Sequence, residues 1–508
     1  MAENVRSHGE KDNPEAWDET SSAWVKAAKD FFIPPLDFSH HKGQNGRICV
    51  VGGALEFTGA PYFSAMAALH MGMDLAYIIT TPEAAGPIKT YSPELIVYPI
   101  LPGQLQSGQS LEDALVRLEN KAGEILKKCH VVVMGPGMGA PAMTTPPADE
   151  ETKRDACGAS GANPESGCTI QRAALTVLEV AMKENKFVVI DADMIRVLCT
   201  PPHSPSLQRL KNYRRCLLTP NRREFELLQG AFDSLEKPCS PLSNKYFLSS
   251  FFQAVQREQQ RSCDAPKSEN VFADFSRRWQ PPPETDPSLA VDSDDVTHAN
   301  RSPSPPSVAP FPSLIFLDLF PSSLKSFAGR LADLTLGLNG PNLLVKGPAD
   351  VFVVFSRLPA RSEQVCPDAR AALATCGLTQ NSRGSPKRSG GQGDVLGGIL
   401  AAFVAWWQIA AEARNRHGGL KAAAGRLSGS ACERTPKNEM AHAEGERLSG
   451  LVLSGVDEEA AGLICVMFNA SLMVRQTAAR AFEEHGRSML AGHLLPLIGP
   501  VFRSLYKE

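Results

Sequence analysis

The chain has 508 residues, 43% hydrophobic and 21% charged, which sets it among globular proteins and away from the low-hydropathy, high-charge regime of wholly disordered chains. A formal net charge of −3 gives no global field to draw it onto nucleic acid or an anionic membrane, so any anionic ligand must be held by a local site. The 12 cysteines contain no CxxC pair, which argues against a zinc site and a disulfide framework and favours a reducing compartment.

Residues 1–38 read as a polar leader, expected to be disordered. They mix acids and bases without an apolar centre, unlike a secretory signal or an Arg-rich mitochondrial presequence. No stretch approaches the roughly 20 apolar residues that a membrane span needs. A cytoplasmic location is therefore expected, with a mitochondrial form left open.

Beyond the leader, short apolar runs alternate with amphipathic stretches. RICVVGG (47–53) reads as the first buried strand, Ala60 to Asp74 as a helix and LAYIIT (75–80) as the next strand. The rhythm continues through ELIVYPI (94–100), HVVVMG (130–135), FVVIDAD (187–193), CLLTP (216–220) and NLLVKG (342–347). Helix-like LEDALVRLENKAGEILKK and QRAALTVLEVAMKEN separate some of them. Strands and helices in this alternation predict an α/β fold with a central, mostly parallel sheet and helices on both faces. Ser-, Pro-, Gly- and charge-rich segments at about 141–168, 232–312 and 412–455 read as low-complexity surface insertions in one domain spanning 39–508.

Two segments along this path carry open readings. Asp191 and Asp193 leave the C-terminal end of a strand, where α/β sheets place ligands, yet such residues also cap the following helix; a substrate or Mg2+-shell role and a capping role both stand. Lys89, Tyr91, Ser92 and Glu94 of KTYSPEL either shape a substrate side or serve packing and a turn. The 11 histidines show no HxxxH or HExxH spacing, so no catalytic metal cage is expected.

The segment with most chemical content is GSPKRSGGQGDVLGGILAAFVAWWQ, a basic glycine-rich loop running into an apolar helix that is expected to begin near Asp394. Glycines allow successive N–H groups at a helix N-terminus to converge on an anionic oxygen, and the helix dipole adds to the attraction. Lys387 and Arg388 could neutralise phosphate, and an aspartate in the first turn could take a proton from a hydroxyl attacking the γ-phosphate. The alternative is a plain turn with Asp394 as helix cap. No GxxxxGK[ST] loop is present to decide between them.

KGQNGRICVVGGALEFTGAPYFSAMAALHMGMDLAYIIT, IKTYSPELIVYP, MGPGMG, VIDAD, LTPNRREFELL, LLVKG and SGGQGD, with SLMVRQTAARAFEEHGRS near the C-terminus, stand in the order found in the ATP-dependent NAD(P)H-hydrate dehydratases. The chain resembles that family over nearly all its length outside the insertions, and the resemblance implies a ribokinase-like fold. It also implies ATP-dependent dehydration of the S epimer of hydrated NADH and NADPH, giving ADP and phosphate, with Mg2+ as cofactor and ATP as co-substrate.

By resemblance, Gly139 and the run Asn221, Arg222, Arg223, Glu224, Phe225, Glu226 and Leu227 would bind the hydrate, although Asn221 after Thr219-Pro220 could equally only start a helix. Lys346, Gly347, Pro348, Ala349 and Asp350 match one ATP-binding segment. Gly384, Ser385, Pro386, Lys387, Arg388, Ser389, Gly390, Gly391, Gln392 and Gly393 match the other. Asp394 matches the residue that contacts the hydrate and acts as base. The resemblance further implies pairing with a separate NAD(P)H-hydrate epimerase and allows a homo-oligomer, with no nucleic-acid or membrane partner. Met194 after VIDAD and Pro386-Lys387 before SGGQGD depart from the usual pattern without removing a chemical group. A true small-molecule kinase and an inactive scaffold remain as rival readings.

Overall fold

The structure is a computed structural model that describes residues 19–103, 105, 108–139, 164–199, 206–235, 331, 334–335, 338–347, 350–357, 373–380, 384–428 and 458–507. The chain divides into two compact units. One comprises Met1–Val197, Ser382–Ser454 and Ala461–Glu508, the other Leu198–Asn381 and Gly455–Ala460.

The first unit is built on five parallel strands, β1 (Arg47–Val51), β2 (Leu75–Ile79), β3 (Ile96–Tyr98), β4 (Val131–Met134) and β5 (Phe187–Ile190), in the order β3-β2-β1-β4-β5. β4 and β5 are fully buried runs of Val, Ile, Met and Phe, the composition of strands covered on both faces. Register is set across the centre, where Val50 of β1 lies opposite Ile78 of β2 and Val133 of β4. The helices between strands begin where the sequence offers caps. Thr81 accepts the Ala84 N–H at the start of α3 (Pro82–Tyr91), with Pro82 in the first turn, and Ser110 does the same for Asp113 at the start of α4 (Leu111–Leu126). Strand order reverses between β1 and β4, and in open α/β sheets the crevice outside the carboxyl ends at such a reversal is where ligands bind.

Two helices that follow late in the chain complete this unit's core. The helix Gln392–Ser428 crosses α2 (Gly59–Met71) so closely that a Cβ at Gly398 would lie 2.0 Å from the Ser64 carbonyl oxygen, so only glycine permits the crossing. By length and composition Gln392–Arg414 and Glu459–Ser488 could each cross a membrane, contrary to the expectation that no stretch approaches one. Both are mostly buried, which accounts for their apolarity as core packing.

The leader also needs correction. Residues 1–18 lie outside the described residues, but Glu19–Phe31 is a helix, α1, and Trp24, Val25, Ala27, Ala28 and Phe32 are buried. Trp24 stacks on Phe468, the Asn469 side-chain amide donates to the Trp24 carbonyl at 3.1 Å, and Lys29 Nζ donates to the Tyr506 carbonyl at 2.6 Å. A short apolar stripe among polar residues has low average hydropathy yet suffices to dock. Trp24→Ala should therefore destabilise the first unit by about 3–5 kcal/mol, read as a lowered denaturant midpoint; an unchanged midpoint would return α1 to the status of a dispensable leader.

The second unit carries β6 (Cys216–Leu218) and β7 (Asn342–Val345) in parallel, then β8 (Asp350–Arg357) and β9 (Leu373–Gln380), each antiparallel to the strand before it. Buried Asn342 ties the chain across β6 by donating to the Arg214 and Cys216 carbonyls at 3.0 and 3.1 Å. β8 and β9 are absent from the strands read in the sequence; residues 358–372, not a two-residue Gly or Asn turn, separate them, so no hairpin signal marks the pair. The described strand pairs are nevertheless mostly parallel, as expected of the α/β class: all those of the first unit and β6–β7 are parallel, and only β7–β8 and β8–β9 are antiparallel. Of the expected insertions, 141–163, 236–312 and 429–455 lie outside the described residues, while 164–168, 232–235 and 412–428 belong to helices.

Candidate active site

The glycine-rich loop holds itself in a tight form before the helix begins at Gln392. The Ser385 hydroxyl accepts the Lys387 N–H and donates to the Lys387 carbonyl, both at 3.0 Å, and Gln392 Nε2 reaches the same carbonyl at 3.3 Å. Gly391 has φ +93°, a left-handed conformation natural to glycine, and its carbonyl accepts the Val395 N–H at 3.0 Å. The left-handed residue is thus Gly391, whereas Gly393 already lies in the helix. Gln392, Gly393 and half-buried Asp394 form the first turn, where helix amides and the dipole favour an anion.

Other parts of the first unit fix this loop in place. Lys387 Nζ donates to the Arg487 carbonyl at 2.5 Å and Ser389 Oγ to the Met489 carbonyl at 3.0 Å. A Cβ at Gly391 would meet Ala491 Cβ at 2.8 Å and the Phe63 ring at 3.0 Å. Lys387 therefore has an anchoring contact as well as its expected phosphate role, while Arg388 is exposed. The anchors Arg487, Met489 and Ala491 escaped the sequence reading of the site because the first two act through main-chain carbonyls and the third through a bare methyl group. The block ending in HGRS was the only signal of them.

At the reversal of strand order, the loops after β1 and β4 interlock. Gly53 N–H donates to the Pro136 carbonyl and Gly135 N–H to the Val51 carbonyl, both at 3.0 Å. Gly139 N–H donates to Asp193 Oδ2 at 3.0 Å, and a Cβ at Gly139 would lie 2.9 Å from Ala54 Cβ. Asp193 therefore holds the loop that carries Gly139, and Asp191 is buried with its N–H on the Met134 carbonyl at 3.0 Å. In KTYSPEL, the Ser92 hydroxyl donates to Glu94 and holds its carboxyl below the usual carboxylate range. The Tyr91 hydroxyl shares a 2.6 Å hydrogen bond with Thr58 Oγ1, and Lys89 is exposed.

The second unit brings together the other two expected segments. Lys346 N–H donates to the Pro220 carbonyl at 2.9 Å, joining the start of Lys346–Asp350 to the residue before Asn221. Gly347 N–H donates to Asp350 Oδ1 at 2.9 Å across the β7–β8 turn; Pro348 and Ala349 lie outside the described residues. Asn221 and Glu224 form a capping box on the helix Arg222–Leu235. Asn221 Oδ1 accepts the Glu224 N–H at 3.1 Å and Glu224 Oε2 accepts the Asn221 N–H at 2.9 Å.

Along that helix Phe225 is fully buried, Arg222 pairs with Glu226 at 3.2 Å on the surface, Arg223 is exposed and Leu227 is half-buried. Asn221→Ala should lower stability by about 1 kcal/mol through loss of the cap, measured by denaturant unfolding. No measurable loss would leave ligand contact as the reason for this side chain.

Among the described residues no three His, Cys, Asp or Glu side chains gather into a metal cage. The described cysteines Cys49, Cys129, Cys199, Cys216 and Cys465 are buried free thiols, and burial pushes Cys199 up to about 12, so it is protonated and unreactive near neutrality.

Residues 48–247 match the family model described as NAD(P)H-hydrate dehydratase. The chain is 26% identical over 476 residues to an ATP-dependent (S)-NAD(P)H-hydrate dehydratase of Mycosarcoma maydis, covering 94% of this chain and 87% of that protein. It is 35% identical over 215 residues to the like-named protein of Pongo abelii, covering 41% and 52%. Among solved structures it is similar to a ribokinase-like superfamily protein from Enterococcus faecalis at 13% identity and TM-score 0.46, covering 95% of each chain. Over residues 48–247 the chain is thus similar to the NAD(P)H-hydrate dehydratase family, and the similarity to the Mycosarcoma maydis protein extends over most of its length.

Proposed function

We propose that the protein uses ATP to dehydrate the S epimer of hydrated NADH and NADPH, returning NAD(P)H with ADP and phosphate, and so acts as a carbon–oxygen lyase in nicotinamide nucleotide repair. The observation that carries this reading, beside the similarity to the dehydratases, is the position of Asp394. It stands in the first turn of a helix entered through left-handed Gly391, so a carboxylate and an anion-binding helix end occupy one place.

Hydroxide is a poor leaving group from the hydrated ring, and phosphorylation turns it into a good one. Asp394 takes the proton of the ring hydroxyl as that oxygen attacks the γ-phosphorus and the bond to the ADP oxygen breaks. The helix-end amides stabilise charge on the transferring phosphoryl. The ring nitrogen lone pair then expels inorganic phosphate, and loss of a ring proton restores the dihydronicotinamide. Kinase-like positioning thereby serves an elimination.

Mg2+ is part of the proposal: when bound with ATP it neutralises phosphate charge. Without a caging cluster among the described residues, the donor set suits a cation carried chiefly by nucleotide phosphates, the usual manner for Mg2+. The phosphate contacts of Lys387 and Arg388, the hydrate contacts of the Asn221 segment, a cytoplasmic location and operation beside a separate epimerase belong to the same proposal.

Purified protein incubated with hydrated NADH, Mg2+ and ATP should restore absorbance near 340 nm. Accumulation of a stable phosphorylated product without that recovery would point to a true kinase, and no ATP consumption to a scaffold.

A further inference from the structure

The loop after β1 touches both parts of the site in the first unit. Its beginning, Ala54, lies against Gly139, and its continuation into α2 places Phe63 against Gly391 of the glycine loop. Residues 54–63 thus border both Gly139 and the glycine loop that leads to Asp394. This stretch and the end of α3, which touches it through Thr58 and Tyr62, carry more aromatic surface than packing uses. Phe57 is 53% exposed and Tyr91 46% exposed, where large apolar groups are otherwise mostly buried.

The aromatic groups are ordered with respect to one another. Tyr62 meets Phe63 edge-on at 5.5 Å and Tyr91 edge-on at 5.3 Å, so rings run from Gly391 to the end of α3. Thr58 stands at the N-cap of α2 yet makes no capping bond; its hydroxyl pairs with the Tyr91 hydroxyl at 2.6 Å. Phe57 adjoins the loop after β4, where a Cβ at Gly137 would meet its backbone oxygen at 2.8 Å.

We propose that Phe57, Tyr62 and Tyr91 form a ledge that receives the dihydropyridine ring of the hydrated cofactor, with Tyr91 its specificity-determining residue. The inference rests on the dehydratase reading. A dihydropyridine is flat, largely apolar and carries one carboxamide, so aromatic faces give it contact area while the Thr58–Tyr91 hydroxyl pair offers a polar edge. The ledge lies on the β1 side of the strand-order reversal, where the fold opens its crevice.

The test compares wild-type protein with Tyr91→Phe, Tyr91→Ala and Phe57→Ala, all checked for unaltered melting. Binding of the product NADPH is followed by its own dihydronicotinamide fluorescence, ATP binding by calorimetry, and turnover on hydrated NADPH by KM and kcat. Tyr91→Ala should weaken NADPH binding and raise the hydrate KM about tenfold, with ATP affinity changed less than about twofold; Tyr91→Phe should recover most of the loss.

Phe57→Ala should act in the same direction, and it keeps the test available if Tyr91→Ala misfolds. Unchanged NADPH binding in both alanine variants, a loss confined to ATP, or wild-type protein that binds no NADPH would each overturn the ledge. Wild-type protein that binds NADPH in a Tyr91-dependent way but shows no ATP-dependent recovery would sustain the ledge and sink the dehydratase reading.

Discussion

Replacing Asp394 by asparagine should abolish measurable dehydration while ATP still binds. Asparagine keeps the size of the side chain and can still occupy the first turn of the helix Gln392–Ser428, so the loop geometry should persist. It cannot accept the proton of the ring hydroxyl. Loss of a general base typically costs about 10²- to 10⁴-fold in rate, on the order of 3–5 kcal/mol of barrier. The check is single-turnover recovery of dihydronicotinamide absorbance together with ATP affinity by calorimetry. Near-normal turnover in a folded variant would remove Asp394 as base, and loss of ATP binding would show that its carboxylate mainly organises the loop.

The second large effect is expected at Gly391. A valine there would be strained by the φ of +93° and would drive its Cβ to 2.8 Å from Ala491 and 3.0 Å from the Phe63 ring. Neither neighbour can retreat easily, since Ala491 is buried and follows Met489, whose carbonyl holds Ser389. A β-branched residue in a left-handed position is a genuine outlier. The loop should therefore shift away from its anchors and lose the alignment of its amides, lowering kcat by about 10²-fold or more, as loss of an oxyanion donor does. Melting should move much less than turnover, because the loop is peripheral to the sheet core. Unchanged turnover would take the anion-stabilising role away from this loop, and a collapse of melting in step with activity would make the effect structural.

Much of the fold was legible because its signals are local. β4, β5 and β1 after its first residue Arg47 are uninterrupted runs of apolar residues, mostly β-branched, and a strand buried on both faces can hardly be written otherwise. SGGQGD announced a turn into a helix for the same reason, since the backbone conformation and the helix end are encoded within a few residues. What depends on partners far along the chain was not legible.

The docking of α1 needs Phe468 and Asn469, more than four hundred residues away, before the Trp24 stripe has anything to bury against. β8 and β9 pair across a long connection that carries no turn signal. Which glycine of the loop is left-handed and closely packed, Gly391, shows only in the folded chain, where Phe63 and Ala491 leave no room for a Cβ. For Asn221 and Asp193 the sequence offered two roles each, and only the fold supplied the partners, Glu224 for one and the Gly139 amide for the other. Composition, strand runs and the glycine loop follow from the chemistry of neighbouring residues and were fixed in the sequence itself. Anchors, close approaches and the aromatic ledge exist only once distant segments share a surface, so the tertiary structure decided them.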